Sequence, residues 1–274
     1  ISRVGLTTSL KPWDLAVLRF GIGGLVLLPV LVRSGFRGIA MRDAVALAFT
    51  GGLGFAACAY AGFALAPASH GAVLLHGTLP LSTYVLARAW GTGASGAHTS
   101  GLPFIALGVG SMGWEGVSAG TPLQWVGDAA LLLASVSWAG YGLLVRRVGL
   151  PPAHCASIVA VLSMASFVPA FLALSWGRYS VADWHGWLLQ ALFQGLLVGA
   201  VSIYVYSTAL ARLGPERTAL LTASVPCVTT LGSVVFLHES VSATVLVGIA
   251  LVTTGTLVSL FGRGRWRRIL RTPE

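Results

Sequence analysis

A histidine stands inside an apolar run, AVLLHGTLP, that ends at Pro80. A second run, ALLTASVP, ends at Pro226, and the spacing from Tyr60 to Pro80 recurs from Tyr206 to Pro226. Leu74 and Leu75 are matched by Leu220 and Leu221, but His76 is matched by Thr222. An imidazole in such surroundings donates a hydrogen bond to a carboxylate or exchanges a proton near neutral pH. Pro80 and Pro226 each withdraw a backbone donor and crowd the preceding turn, so each predicts a bend, one turn beyond His76 in the first case. Ser224 and Thr222 supply hydroxyls beside the second bend. SVSWAGY places Trp138 and Tyr141 three apart on one side of a helix, and Tyr60 and Tyr204 lie in corresponding segments. An apolar body with a polar tip suits a cavity wall that accepts organic solutes. The candidate solute contacts are therefore His76, Trp138, Tyr141, Tyr60, Tyr204, Ser224 and Thr222, with Pro80 and Pro226 as hinges.

The elements that must hold these residues are membrane helices. Of 274 residues, 55% are hydrophobic and 9% charged, with a mean hydropathy of +0.83. A soluble domain carries about 25% charged residues. Apolar stretches of about 17–25 residues suffice to cross a bilayer. We read nine, at 12–32, 44–66, 69–90, 102–116, 122–145, 153–176, 187–211, 218–237 and 241–261, the fourth being the weakest. Thirty-five glycines suit close packing of helices in lipid.

The net charge of +9 is not gathered on one face or in one domain, so nucleic acid is not the expected partner. Basic residues instead alternate between connections. Arg33, Arg37, Arg42, Arg88, Arg146, Arg147, Arg212, Arg217 and the arginines of the tail from Arg263 to Arg271 fall on one side, against Arg3, Lys11 and Arg178 on the other. The positive-inside rule makes the first side, with the C-terminus, cytoplasmic. Nine crossings place residue 1 outside, and a further helix before Ile1 is expected to bring both ends inside. Arg19, within a segment, is expected to snorkel or pair with Asp14, or else to attract an anionic solute. His70 is expected at the interface, Asp128 and Glu239 in water at helix ends, and Trp176, Trp184 and Trp187 as interfacial anchors. The basic tail 263–274 is expected against anionic lipid. Cys58, Cys155 and Cys227 are too few and scattered for a disulfide framework.

The two proline-ended runs follow equivalent short turns, ALAPASHGA and ALARLGPERTA. The first turn carries no Arg or Lys and the second carries two, so the turns fall on opposite faces. Equivalent turns on opposite faces require an odd number of helices per half. This indicates two inverted repeats, 1–117 and 118–262, of five helices each with the expected first helix included.

In order along the chain, AVLRFGIGGLVLLPVL, ALAPASHGAVLLHGTLPLSTYVLA, GDAALLLASVSWAGYGLLVRR, ALARLGPERTALLTASVPCVTTLGSVVFLHES and VGIALVTTGTLVSLF resemble the drug/metabolite transporter superfamily, EamA type. Within it the chain is similar to the YddG-type amino-acid exporters. The resemblance implies an all-α polytopic membrane protein with ten helices in a 5+5 inverted repeat, and alternating access around a central cavity. One departure is GTGASGAHTS, at 91–100, in place of the short acidic turn that LHES supplies in the second half.

The expected function is secondary transport in the inner membrane, exporting amino acids or related metabolites. A passive channel or an intramembrane lipid-modifying enzyme is the alternative. The enzyme would need converging nucleophile, base or metal ligands, and only His76 and scattered hydroxyls are offered. No phosphate-binding G-x-x-x-x-G-K-[ST] and no H-E-x-x-H occurs. No catalytic residue, metal or cofactor is expected. The expected partners are a small solute and the lipid bilayer, with the chain a monomer or weak homodimer.

Overall fold

The computed structural model describes residues 12–66, 70–92, 99–119, 122–175, 184–226, 228 and 242–261. Among these residues the chain is helical and has no strand. The helices are α1 (Pro12–Ser34), α2 (Met41–Leu65), α3 (Gly71–Gly77), α4 (Leu79–Ala89), α5 (Leu102–Ala119), α6 (Pro122–Val148) and α7 (Pro152–Ser175). Next comes α8, continuous through Trp184–Gln190, Ala191–Ser202 and Ile203–Leu213, then α9 (Pro215–Thr222) and α10 (Ala243–Phe261). Among the described residues, Phe49–Leu53 in α2, all of α3, and Ala191–Ser202 in α8 have the wider π winding.

Among the described residues, five helices are long and apolar enough to cross a membrane: Trp13–Ser34, Met41–Leu65, Leu123–Val148, Pro152–Ala173 and Trp187–Leu213. Leu102–Ser111 and Ala243–Ser259 are shorter apolar helices. The segment expected at 69–90 is interrupted at Thr78, and most of 218–237 lies outside the described residues. So do Arg3, Lys11, Arg178, Trp176, Cys227, Glu239, the tail and most of the glycine-rich stretch after Trp90.

Glycine and proline punctuate the helices. Gly35, Gly91, Gly149 and Gly214 have φ of 61°, 66°, 66° and 83° just past the ends of α1, α4, α6 and α8. A residue without Cβ enters this left-handed region freely and lets the last carbonyls be capped. At Gly35 the amide donates to the Leu31 carbonyl at 2.6 Å, and at Gly149 to Val145 at 3.1 Å. Pro152 and Pro215 then start α7 and α9, where a missing N–H costs nothing.

The chain divides into two compact units, 1–60 with 141–212 and 61–140 with 213–274. Each draws on both sides of the repeat boundary read at 117–118, and α2 and α6 contribute to both.

In the first unit α1 packs against α7 and the π stretch of α8. A methyl group on Gly23 would stand 2.8 Å from the Gly199 carbonyl, and one on Gly199 would fall on the carbonyl of Arg19. Side-chain-free contact of this kind is how helices associate where lipid removes the hydrophobic drive. Phe167 of α7 lies edge-on to Phe20, with centroids 5.7 Å apart, and stacks on Trp13 at 6.4 Å.

In the second unit α5 packs on α10 through backbone. A methyl on Gly108 would stand 2.6 Å from the Gly248 carbonyl, and one on Gly255 equally close to that of Gly101. The Gly101 amide donates to Ser259 Oγ at 3.1 Å. Leu79 of α4, Ala139 of α6 and Ala219 of α9 share one buried cluster.

Candidate functional site

The repeated prolines sit at two helix interruptions in the second unit. In the first, α3 ends at Gly77, Thr78 forms the joint and α4 begins at Leu79 with Pro80 in its first turn. In the second, α9 ends at Thr222, Ala223 and Ser224 form a turn, and helix resumes at 225–226. Neither proline has an N–H, so the helical bonds to the carbonyls of His76 and Thr222 cannot form. The joint residues Thr78 and Ser224 each stand two positions before a proline.

Hydroxyls at both joints bond carbonyls of the preceding turn. Thr78 Oγ1 is 2.5 Å from the Leu74 carbonyl and 2.8 Å from Ser135 Oγ of α6. Its single proton serves one of them at a time. Ser82 Oγ is a further 3.2 Å from Ser135 Oγ, so three hydroxyls join α4 and its joint to α6. In the second interruption Ser224 Oγ donates to the Leu221 carbonyl at 2.7 Å and Thr222 Oγ1 to Thr218 at 2.8 Å.

The two interruptions adjoin. A methyl group added at Gly77 would lie 3.8 Å from the Pro226 ring and 3.7 Å from Val252 of α10. Here glycine leaves room for about one methyl group between the two breaks. His76, immediately before it, has a buried Nδ1 without a hydrogen-bond partner among the described residues. Trp138 is half-buried and packs on the Leu79–Ala139–Ala219 cluster. Six expected site residues thus belong to this unit: His76, Pro80, Trp138, Thr222, Ser224 and Pro226.

Tyr60, Tyr141 and Tyr204 belong to the other unit, in three different settings. Tyr141 is fully buried, with its hydroxyl 2.7 Å from Ser207 Oγ and its ring stacked on Tyr206 at 6.4 Å. Gly51, in the π stretch of α2, lies against that ring. Tyr60 is 8% exposed, and its hydroxyl has no partner among the described residues. Tyr204 is 46% exposed. Two helical residues apart means about 200° of rotation, so Tyr204 and Tyr206 face nearly opposite ways. It is Tyr206 that meets Tyr141.

Two polar residues depart from expectation. His70, expected at the interface, is 8% exposed, and its Nδ1 lies 3.0 Å from Asp128 Oδ1. Asp128, expected in water, has a side chain only 19% exposed. The pair ties the residue before α3 to the start of α6. A contact across 58 positions depends on how the helices pack, which no local pattern encodes.

The EamA-like transporter family matches residues 125–261, half of the chain. The chain belongs to the EamA-like transporter family. No curated protein matches it. A solved chain described as "Crystal structure of protein" is 22% identical, with a TM-score of 0.67, covering 97% of this chain and 91% of that one. That likeness shows a shared fold. This EamA-like chain is accordingly a multi-pass membrane transporter. Its paired interruptions belong to the part of the molecule in which α3, α4 and α9 pack together, with Ala139 of α6 in the cluster of Leu79 and Ala219.

Proposed function

We propose that this EamA-like chain is a secondary transporter of the inner membrane, with its C-terminus cytoplasmic. It exports amino acids or related metabolites, as the YddG-type branch does, by alternating access within a ten-helix 5+5 inverted repeat. The observation that carries this reading is the pair of adjoining interruptions before Pro80 and Pro226. A helix broken at a joint residue bends there at less cost than an intact one. Equivalent joints in two inverted halves allow one end to close while the other opens.

In this account His76, Thr222 and Ser224 offer polar contacts to the solute, and Trp138 an apolar face. His76 against Thr222 is where the two halves differ most in chemistry, which suits an asymmetric solute.

The test is counterflow in proteoliposomes loaded with a panel of unlabelled amino acids. Uptake of the labelled amino acid should saturate and be accelerated by the same amino acid inside. Unsaturable uptake without trans-acceleration would favour a passive channel. His76→Ala should lower transport between pH 5 and 8, and unchanged transport would remove His76 from the site.

A further inference from the structure

Arg19 lies seven positions into α1, within the apolar span Trp13–Ser34. A rise of 1.5 Å per residue puts it about 10 Å along the helix. Its guanidinium carbon is 5.5 Å from the ring centroid of Phe55 and 5.9 Å from that of Phe20. Ring faces are its only partners among the described residues, and the expected pairing with Asp14 is not made. Arginines inside membrane spans ordinarily pair with an acid or backbone carbonyl, or face a watery cavity on a solute pathway.

A second unmatched donor lies on the same helix pair. Phe20, which carries one of the two rings, shares a buried cluster with Leu15, Ala16, Ala56 and Tyr60. The Tyr60 hydroxyl within that cluster is buried without a partner. The α1–α2 face therefore holds a half-buried guanidinium and a buried phenol, with no acceptor among the described residues for either.

We propose that Arg19 and Tyr60 form a binding site for a monoanionic oxyanion group, a carboxylate or a phosphate. The guanidinium fork matches two such oxygens, and the phenol supplies a further donor. The flanking phenylalanine rings favour an anion with an apolar body. A dissolved organic acid and an anionic lipid headgroup offer the same chemistry.

The probe is benzoate, with benzamide as its uncharged counterpart, bound to the purified full chain in phosphatidylcholine nanodiscs. Benzoate should bind saturably and benzamide should not compete. Arg19→Gln should weaken benzoate by about tenfold or more, the usual weight of a charged hydrogen bond. Arg19→Lys should weaken it less, because it keeps the charge and loses the fork, and Tyr60→Phe should also weaken it. If a lipid headgroup is the natural occupant, nanodiscs of phosphatidylglycerol should displace benzoate from the wild type and leave Arg19→Gln unaffected. If it is a dissolved acid, the two lipids should give equal affinity. Unsaturable benzoate binding in both lipids would overturn the proposal, as would equal affinity in the wild type, Arg19→Lys and Tyr60→Phe. Because binding is read without transport, its failure is distinguishable from a failure of counterflow.

Discussion

Gly23 offers a quantitative test of the packing, because Gly21 on the same helix is its control. A methyl on Gly23 would stand 2.8 Å from the carbonyl carbon and oxygen of Gly199 and 2.9 Å from its Cα. These are backbone atoms, so relief requires α1 and α8 to separate. A methyl on Gly21 would meet only Val168 Cγ2, at an ordinary 3.7 Å. Replacing glycine by alanine inside a helix gains about 1 kcal/mol of intrinsic propensity at either position. That gain cancels in the comparison. What remains is the cost of overpacking at Gly23, about 1–3 kcal/mol. For a chain of this size, each kcal/mol corresponds to about 2–4 °C in Tm. Gly23→Ala should therefore unfold about 2–12 °C below Gly21→Ala when heated in the same detergent and followed by tryptophan fluorescence. Equal Tm values for the two variants would refute the close approach of α1 and α8.

Two further outcomes follow from the second unit. In a double-mutant cycle on His70→Ala and Asp128→Ala, the two losses of stability should fail to add by about 0.5–3 kcal/mol, and additivity within error would mean that the pair is not made. Thr78→Val keeps the shape of the joint but strips the Leu74 carbonyl and Ser135 of a hydroxyl partner; it should cost about 1–2 kcal/mol, read as a lower Tm, and an unchanged Tm would mean that the joint is not held to α6 in this way.

Much of this was legible in the sequence, for reasons that differ from residue to residue. Composition announces membrane helices because hydropathy acts over whole segments. Pro80 and Pro226 mark the interruptions because a missing N–H acts within one turn. That Thr78 and Ser224 are the joints follows from the same spacing, although the π winding of Gly71–Gly77 does not. His70 and Asp128 look like ordinary helix-end residues until packing brings them together. The choice between Tyr204 and Tyr206 likewise turns on which face of α8 is covered. The division into compact units was not legible either, since each unit is assembled from two segments that are distant in sequence, 1–60 with 141–212 and 61–140 with 213–274.

The central claim is that the adjoining interruptions are moving parts of a carrier. Counterflow measured over a range of solute concentrations in wild type, Pro80→Ala and Pro226→Ala tests it most directly. Each substitution restores a backbone donor and stiffens its joint. The account predicts a severalfold lower maximal rate in both variants with half-saturation nearly unchanged. Maximal rates equal to wild type in both variants would contradict it.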